Sequence, residues 1–288
     1  MRPVAIVSDS THYLTPELVH QADLQEVSLY VRTGEHQQRE SEITDYAAFY
    51  GAIAALDELP STSQPSIGDF AQTYEPLLER GHDIVSIHLS AGVSGTHGAA
   101  LQAKAMLDER GIPGRVEVLD SQTACGGLGC VILAAAAVAR AGGDIDQVLE
   151  RATEARDAMR LWFCVDTLEY LQRGGRIGRA QAWLGGALQI KPILSIESEI
   201  TPVERVRTAG RAFERMVGYL RTLRDDGADG WVVQHIQAPA KAAALVERGV
   251  ELFGSDPIWV SEVGPVIGTY TGPGLVGVGG LPLRLLAA

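Results

Sequence analysis

Through the first half of the chain, short β-branched runs alternate with longer stretches of helical periodicity. That rhythm predicts a mostly parallel sheet with helices on its faces. Val4-Ala5-Ile6-Val7 reads as a buried strand that stops at Ser8-Asp9-Ser10-Thr11. Ile84-Val85-Ser86-Ile87-His88-Leu89 reads as another, stopping at Ser90 to Thr96, and Val116-Glu117-Val118-Leu119 as a third, stopping at Asp120-Ser121. Each stop is followed by a predicted helix, starting near Thr15, His97 and Ala124. A further helix is predicted over Asp45 to Leu56, followed by the turn-rich Pro60-Ser61-Thr62-Ser63-Gln64-Pro65-Ser66.

After a long predicted helix from Ile145 to Met159 the pattern becomes irregular. Leu161 to Val165 reads as a strand, Thr167 to Leu171 as a short helix, and Arg173 to Arg179 as a basic loop broken by Gly174-Gly175. Ala180 to Leu188 reads as helical and Ile193 to Ile196 as a strand. Ala209 to Arg224 is strongly amphipathic, with Phe213, Met216, Val217, Leu220 and Leu223 on one face. Trp231 to Ile236, Ile258 to Val260, Val266 to Tyr270 and Leu275 to Val278 are predicted strands around a helix from Pro239 to Leu252. These patterns predict an N-terminal α/β domain over residues 1–159 and a C-terminal α+β domain with a mixed sheet over 160–288.

The chain has 288 residues, enough to bury a sizeable core. Its net charge of -12 argues against coating nucleic acid, which needs a clustered excess of Lys and Arg. It argues equally against charge-held attachment to an anionic leaflet. The longest apolar run, Val131 to Ala139, is too short to span a bilayer and reads as a buried helix. Cys125, Cys130 and Cys164 form no CxxC pair, and the first residues turn polar too soon for a signal peptide. A reducing, cytoplasmic location without stable membrane insertion is therefore expected.

Ligands of open parallel sheets bind beyond the carboxyl ends of the strands. Three predicted strands end there in hydroxyl, aspartate and glycine residues, and Thr62-Ser63-Gln64-Pro65-Ser66 adds a fourth such segment. Free N–H and O–H donors near helix starts suit a carboxylate or phosphate. Singly, each segment is better read as a helix cap. Gly92-Val93-Ser94-Gly95-Thr96 comes near a hydrolase nucleophile elbow, but G-x-S-x-G is not satisfied and no histidine is paired with Ser94 by spacing. His88 and His235 read as ordinary sheet residues. Asp9, Asp120 and Asp166 lack metal-ligand spacing, so no metal is expected. Gly126-Gly127-Leu128-Gly129 is no dinucleotide fingerprint and reads as close helix-to-sheet packing. Arg207, Arg211 and Arg215 read as a solvated helix face with Glu204 and Glu214. The glycine-flanked Arg173 and Arg176 invite a partner protein or a ligand head group.

In order along the chain, Ser8-Asp9-Ser10-Thr11, Thr62 to Ser66, Ser94-Gly95-Thr96, Asp120-Ser121, Asp166 to Ile177, Ile190 to Leu194 and Gly268 to Gly274 resemble the DegV family of bacterial fatty-acid-binding proteins. The set spans essentially the whole sequence, and its order is far more specific than any one piece. The resemblance implies two domains with a long-chain fatty acid, such as palmitate or oleate, buried between them. It implies a carboxylate held by Thr62 and Ser94, with Ser63, the Gly95 N–H and Tyr270 as neighbours. It further implies a carrier without catalysis or cofactor, presenting its acyl chain to a separate ATP-dependent fatty-acid kinase. Arg173 and Arg176 would suit docking onto that kinase.

Departures from the family pattern are also visible. Tyr270 stands where relatives often have histidine, Tyr13 where aspartate is common, and Cys125 where serine is common. The Tyr13 and Cys125 changes are expected to be structural. A tyrosine donates a hydrogen bond but does not become cationic near neutral pH. Two rival functions are compatible with the same residues. One is a Ser94-dependent acyl hydrolase; the other is a regulatory adaptor with lipid as structural fill.

Overall fold

The computed structural model describes residues 2–53, 59–184 and 190–288. In the N-terminal half the chain runs β1 (Val4–Asp9), α1 (Pro16–Ala22), β2 (Gln25–Val27), β3 (Tyr30–Thr33), β4 (His36–Arg39), α2 (Tyr46–Ile53) and β5 (Ser61–Ser63). It continues with α3 (Ile67–Glu79), β6 (Asp83–His88), α4 (Thr96–Glu109), β7 (Val116–Asp120), α5 (Gly126–Arg140) and α6 (Ile145–Ala158). Then come β8 (Arg160–Cys164), α7 (Glu169–Arg173), β9 (Lys191–Glu197), β10 (Glu199–Val206), α8 (Ala209–Asp225) and β11 (Gly230–His235). The chain finishes with α9 (Pro239–Phe253), β12 (Trp259–Glu262), α10 (Pro265–Thr271) and β13 (Val276–Leu281).

The fold is α/β. Strands β2-β1-β6-β7 form a parallel sheet, and β10-β9-β8-β13-β11-β12 a mixed six-stranded sheet. Helices α3 and α4 cover one face of the parallel sheet, where Val7, Phe70, Tyr74, Ile84 and Ala103 form a core. Helices α5 and α6 cover the other. Helix α5 also packs against β8, β11 and β13 of the second sheet, so it is sandwiched between the two. This is why its sequence is apolar nearly all round and rich in alanine and glycine. A Cβ on Gly126 would fall 2.9 Å from Val232, which agrees with the close packing expected of that glycine run.

Strand alternation assigns the two faces of the mixed sheet. Trp162, Cys164, Ile193, Trp231, Val233, Val276 and Val278 point toward α8 and α9. Leu161, Phe163, Ile196, Gln234, Leu275 and Gly277 point the other way, into the space between the sheets.

Several expectations need correction. Val266 to Tyr270, expected as a strand, belongs to α10. Its β-branched residues misled, whereas Gly264-Pro265 supplies the helix start, with proline at the first helical position. The turn-rich 60–66 segment contains strand β5, which pairs with β3 in a small antiparallel sheet β4-β3-β5. Helix α3 was hidden by Pro76, although Ser66 and Asp69 form a capping box at its start. Strand β10 was hidden by its charges and Pro202; it is an edge strand, and its register shifts between Pro202 and Glu204. The predicted ends of the helices at Leu56 and Leu188 lie outside the described residues.

Candidate functional site

Between the sheets lies a cavity of about 250 Å³. Its wall is formed by the carboxyl ends of the parallel strands (Leu89, Val93, Cys125), the inner face of the mixed sheet, and α10. Aliphatic and aromatic side chains dominate the lining; Gln234 and Thr271 add polar groups to it, and the other polar side chains form one cluster. There Thr62 and Ser63 from β5, Gln64, Ser94 from the loop before α4, Arg176 and Tyr270 meet. Thr62 and Ser94, far apart in sequence, thus line one cavity. Both are half-buried, while Ser63, Gln64 and Arg176 are exposed, which marks this side as the mouth.

The Thr62 and Tyr270 hydroxyls share a hydrogen bond at 2.7 Å in which either can donate. Tyr270 is held from both sides. Its ring packs against the bare Cα of Gly174, where a Cβ would sit 2.2 Å from the ring, and the Arg176 guanidinium lies 4.8 Å from its centroid. Arg176 is itself fixed by donating from Nη1 to the Gly174 carbonyl at 2.9 Å and from Nε to Val93 O at 3.4 Å. The helix α10 end, the basic loop at Gly174–Ile177 and the Val93–Ser94 loop are therefore joined through one arginine and one tyrosine. Ser94 Oγ lies 2.9 Å from Thr96 Oγ1 and accepts from the Thr96 N–H at 3.3 Å. Gly95 lies beneath the Gln64 side chain: a Cβ there would be 2.3 Å from Gln64 Oε1.

Of the expected site residues, Thr62, Ser63, Ser94, Tyr270 and Arg176 line the cavity. Gly95 sits behind Gln64, and Arg173 lies outside the lining, 3.6 Å from Glu169. Gln64 is an added mouth residue. Cys125, where the change is expected to be structural, forms part of the wall; burial pushes its thiol pKa up, with Glu40 and Asp9 adding to the effect.

The other hydroxyl-rich strand ends are structural caps. Asp9 accepts from Thr11 N and Oγ1 and from Leu89 N, and bonds His88 at 3.1 Å. Asp120 accepts from the Ala91 and Gln122 N–H groups. Asp166 pairs with Lys191 at 2.7 Å. Among the described residues no cluster of His, Cys, Asp and Glu is arranged to hold a metal. His88 is committed to Ser86 and Asp9 inside the sheet, and the Ser94 hydroxyl is partnered by Thr96. This arrangement offers Ser94 as a hydrogen-bond donor and, among the described residues, gives it no base as a hydrogen-bond partner.

Glu40, against the start of α10, is 2% exposed. Its carboxylate accepts from the Tyr13 hydroxyl and the Val266 N–H, both at 2.8 Å, and from Ser10. Burial raises its pKa from 4.5 to about 7; the three hydrogen bonds pull the other way, and Glu26 adds to the rise. The Val266 N–H belongs to the first turn of α10, so this carboxyl holds the helix that carries Tyr270.

The family model described as "Uncharacterised protein, DegV family" matches residues 3–283. The chain belongs to the DegV family. This DegV chain is 42% identical, over 96% of its length and 98% of the relative's, to a DegV domain-containing protein of Streptomyces coelicolor. It is similar to the solved structure of DegV, a fatty acid binding protein from Bacillus subtilis, with TM-score 0.86 and 33% identity over 98% of this chain and 100% of that one. A Thermus thermophilus DegV family structure, described in terms of its fatty acid binding, gives the same TM-score of 0.86 at 32% identity, again over 98% and 100%. Among the described residues, no helix of this DegV chain is long and apolar enough to cross a membrane.

Proposed function

We propose that this DegV protein is a carrier that binds one long-chain fatty acid, such as palmitate or oleate, between an N-terminal domain (1–159) and a C-terminal domain (160–288). The carboxylate is held by the Thr62 and Ser94 hydroxyls, with Ser63, the Gly95 N–H and Tyr270 beside them. The acyl chain runs into the apolar cavity behind. The observation that carries this reading is the make-up of the cavity wall: it is mainly hydrocarbon, the amide of its inner polar side chain Gln234 is engaged by Gly126 and Ser261, and hydroxyls and one guanidinium cluster at the mouth.

Physical chemistry favours such a guest. A buried carboxylate is tolerable only when well hydrogen-bonded, and hydroxyl donors supply those bonds. The Arg176 charge adds a favourable field at the mouth, where it is already anchored by two carbonyls. Each methylene removed from water contributes ~0.8 kcal/mol, so the tail of palmitate supplies on the order of 10 kcal/mol before binding costs. The two bacterial relatives described above as fatty acid binding proteins support the same class of ligand.

The carrier has no chemistry of its own in this reading, because no described base is hydrogen-bonded to Ser94. It presents the carboxylate to a separate ATP-dependent fatty-acid kinase, which forms the acyl phosphate. The exposed Arg176 at the mouth and Arg173 beside it suit the docking surface for that enzyme. The test is lipid retention. The Thr62→Ala, Ser94→Ala double variant should keep a native circular dichroism spectrum and lose most of its co-purifying fatty acid by native mass spectrometry. A variant carrying as much acyl guest as wild type would sink the head-group assignment.

A further inference from the structure

We infer that Gly277, together with an end wall made by Leu161 and Ile196, sets the acyl-chain length that this protein accepts. The inference rests on the fatty-acid reading above and adds the residues that decide which acid fits.

Strand β13 alternates Val276 and Val278 on the α8–α9 side with Gly277 and Gly279 on the cavity side. Glycine inside a strand is destabilising and marks a place where a ligand or another backbone comes close. Two of the glycines in this strand are explained by the protein itself. A Cβ on Gly279 would lie 2.7 Å from Met159 Cε and 3.0 Å from the Arg160 carbonyl. A Cβ on Gly280 would lie 2.6 Å from the Gly230 carbonyl. Gly277 differs: its nearest neighbours would be Phe163 Cβ at 3.5 Å and the Trp162 carbonyl at 3.6 Å, which is ordinary contact. Neither packing nor a left-handed backbone requires glycine there. Gly277 faces the cavity, and the volume that its side chain would fill is volume left for a guest.

In the strand registers Gly277 sits one same-face step from Leu161. It pairs with Phe163, and Gly279 with Leu161, one step further along β8. Phe163 also lies beside Leu194 on β9, and two residues further this antiparallel register brings Leu161 beside Ile196. Leu161 and Ile196 line the apolar cavity and also line a second, outer cavity of about 410 Å³ that includes Arg156, Arg160 and Glu197. These two side chains are the partition between the spaces. An apolar tail gains nothing by entering a chamber of charged groups, so the chain ends at this wall.

The experiment offers the purified protein an equimolar mixture of dodecanoate, palmitate and stearate and weighs the bound acids by native mass spectrometry. In Gly277→Val the new side chain displaces at least two methylenes of the guest, which lowers the palmitate-to-dodecanoate ratio about tenfold or more. Gly277→Ala lowers it less, in the same direction, and keeps the test decisive if the valine variant does not fold. Leu161→Ala thins the wall and raises the stearate-to-palmitate ratio. Unchanged ratios in the folded Gly277 variants overturn the role of Gly277, and an unchanged ratio in Leu161→Ala overturns that of the wall. A wild-type protein that takes up none of the three acids defeats the fatty-acid reading itself.

Discussion

Glu40 offers a quantitative test of how the binding region is held together. Its carboxyl is buried, forms no ion pair among the described residues, and has its pKa raised from 4.5 to about 7, chiefly by burial. Between those two values the folded protein keeps a proton that the unfolded chain has released. Stability therefore falls as pH rises from about 4.5 to 7 and levels off above, which is the reverse of the usual buried ion-paired carboxylate. A tenfold difference in proton affinity is worth ~1.4 kcal/mol, so the loss attributable to this one group reaches about 3 kcal/mol at pH 8. Glu40→Gln cannot ionise. Its amide oxygen can still accept from Tyr13 and Val266, and its NH₂ can donate to Ser10, whose hydroxyl already accepts from the Leu29 N–H. Any fixed cost of the amide is the same at every pH and cancels when the two proteins are compared across the range. Urea unfolding of both between pH 5 and 8 is the assay, and the variant should gain on wild type by roughly 2 to 3 kcal/mol over that interval. Parallel stability curves would refute the claim that Glu40 is protonated in the fold near neutral pH.

Two further outcomes follow from single hydroxyls. Tyr270→Phe keeps the ring between Gly174 and Arg176 but removes the partner of the Thr62 hydroxyl, so oleate affinity should fall by about 1 kcal/mol, roughly fivefold, with little change in melting temperature; unchanged affinity in a competition assay would remove Tyr270 from the head-group site. Tyr50 Oη shares its one proton between the Val263 and Gly264 carbonyls, each at 2.8 Å, just ahead of α10; the Gly264 carbonyl also accepts from the Gly268 N–H, so Tyr50→Phe takes the hydroxyl donor chiefly from the Val263 carbonyl and should cost about 1–3 kcal/mol in urea unfolding, whereas a loss below a few tenths would show that water takes over.

The sequence by itself determined the alternation of strands and helices, the buried character of α5 and the family. Those features are local: a periodicity, a capping residue, or a motif whose order survives in one dimension. Thr62, Ser94 and Tyr270 were legible as candidates for the same reason, because each sits in a recognisable segment, and the fold brings all three to one cavity. Tertiary structure alone decided the rest. Phe163, Ile196 and Leu275 read as ordinary core residues, and nothing in their spacing separates a side chain packed on protein from one facing a cavity. Arg176 and Gln64 became mouth residues only when α7, β5 and the Val93–Gly95 loop converged. Glu40 sits in a polar stretch that reads as surface, yet the fold buries it under α10. Whether an apolar residue meets a neighbour or a void, and whether a carboxyl meets water or protein, depends on segments hundreds of residues apart. Only packing brings those segments together.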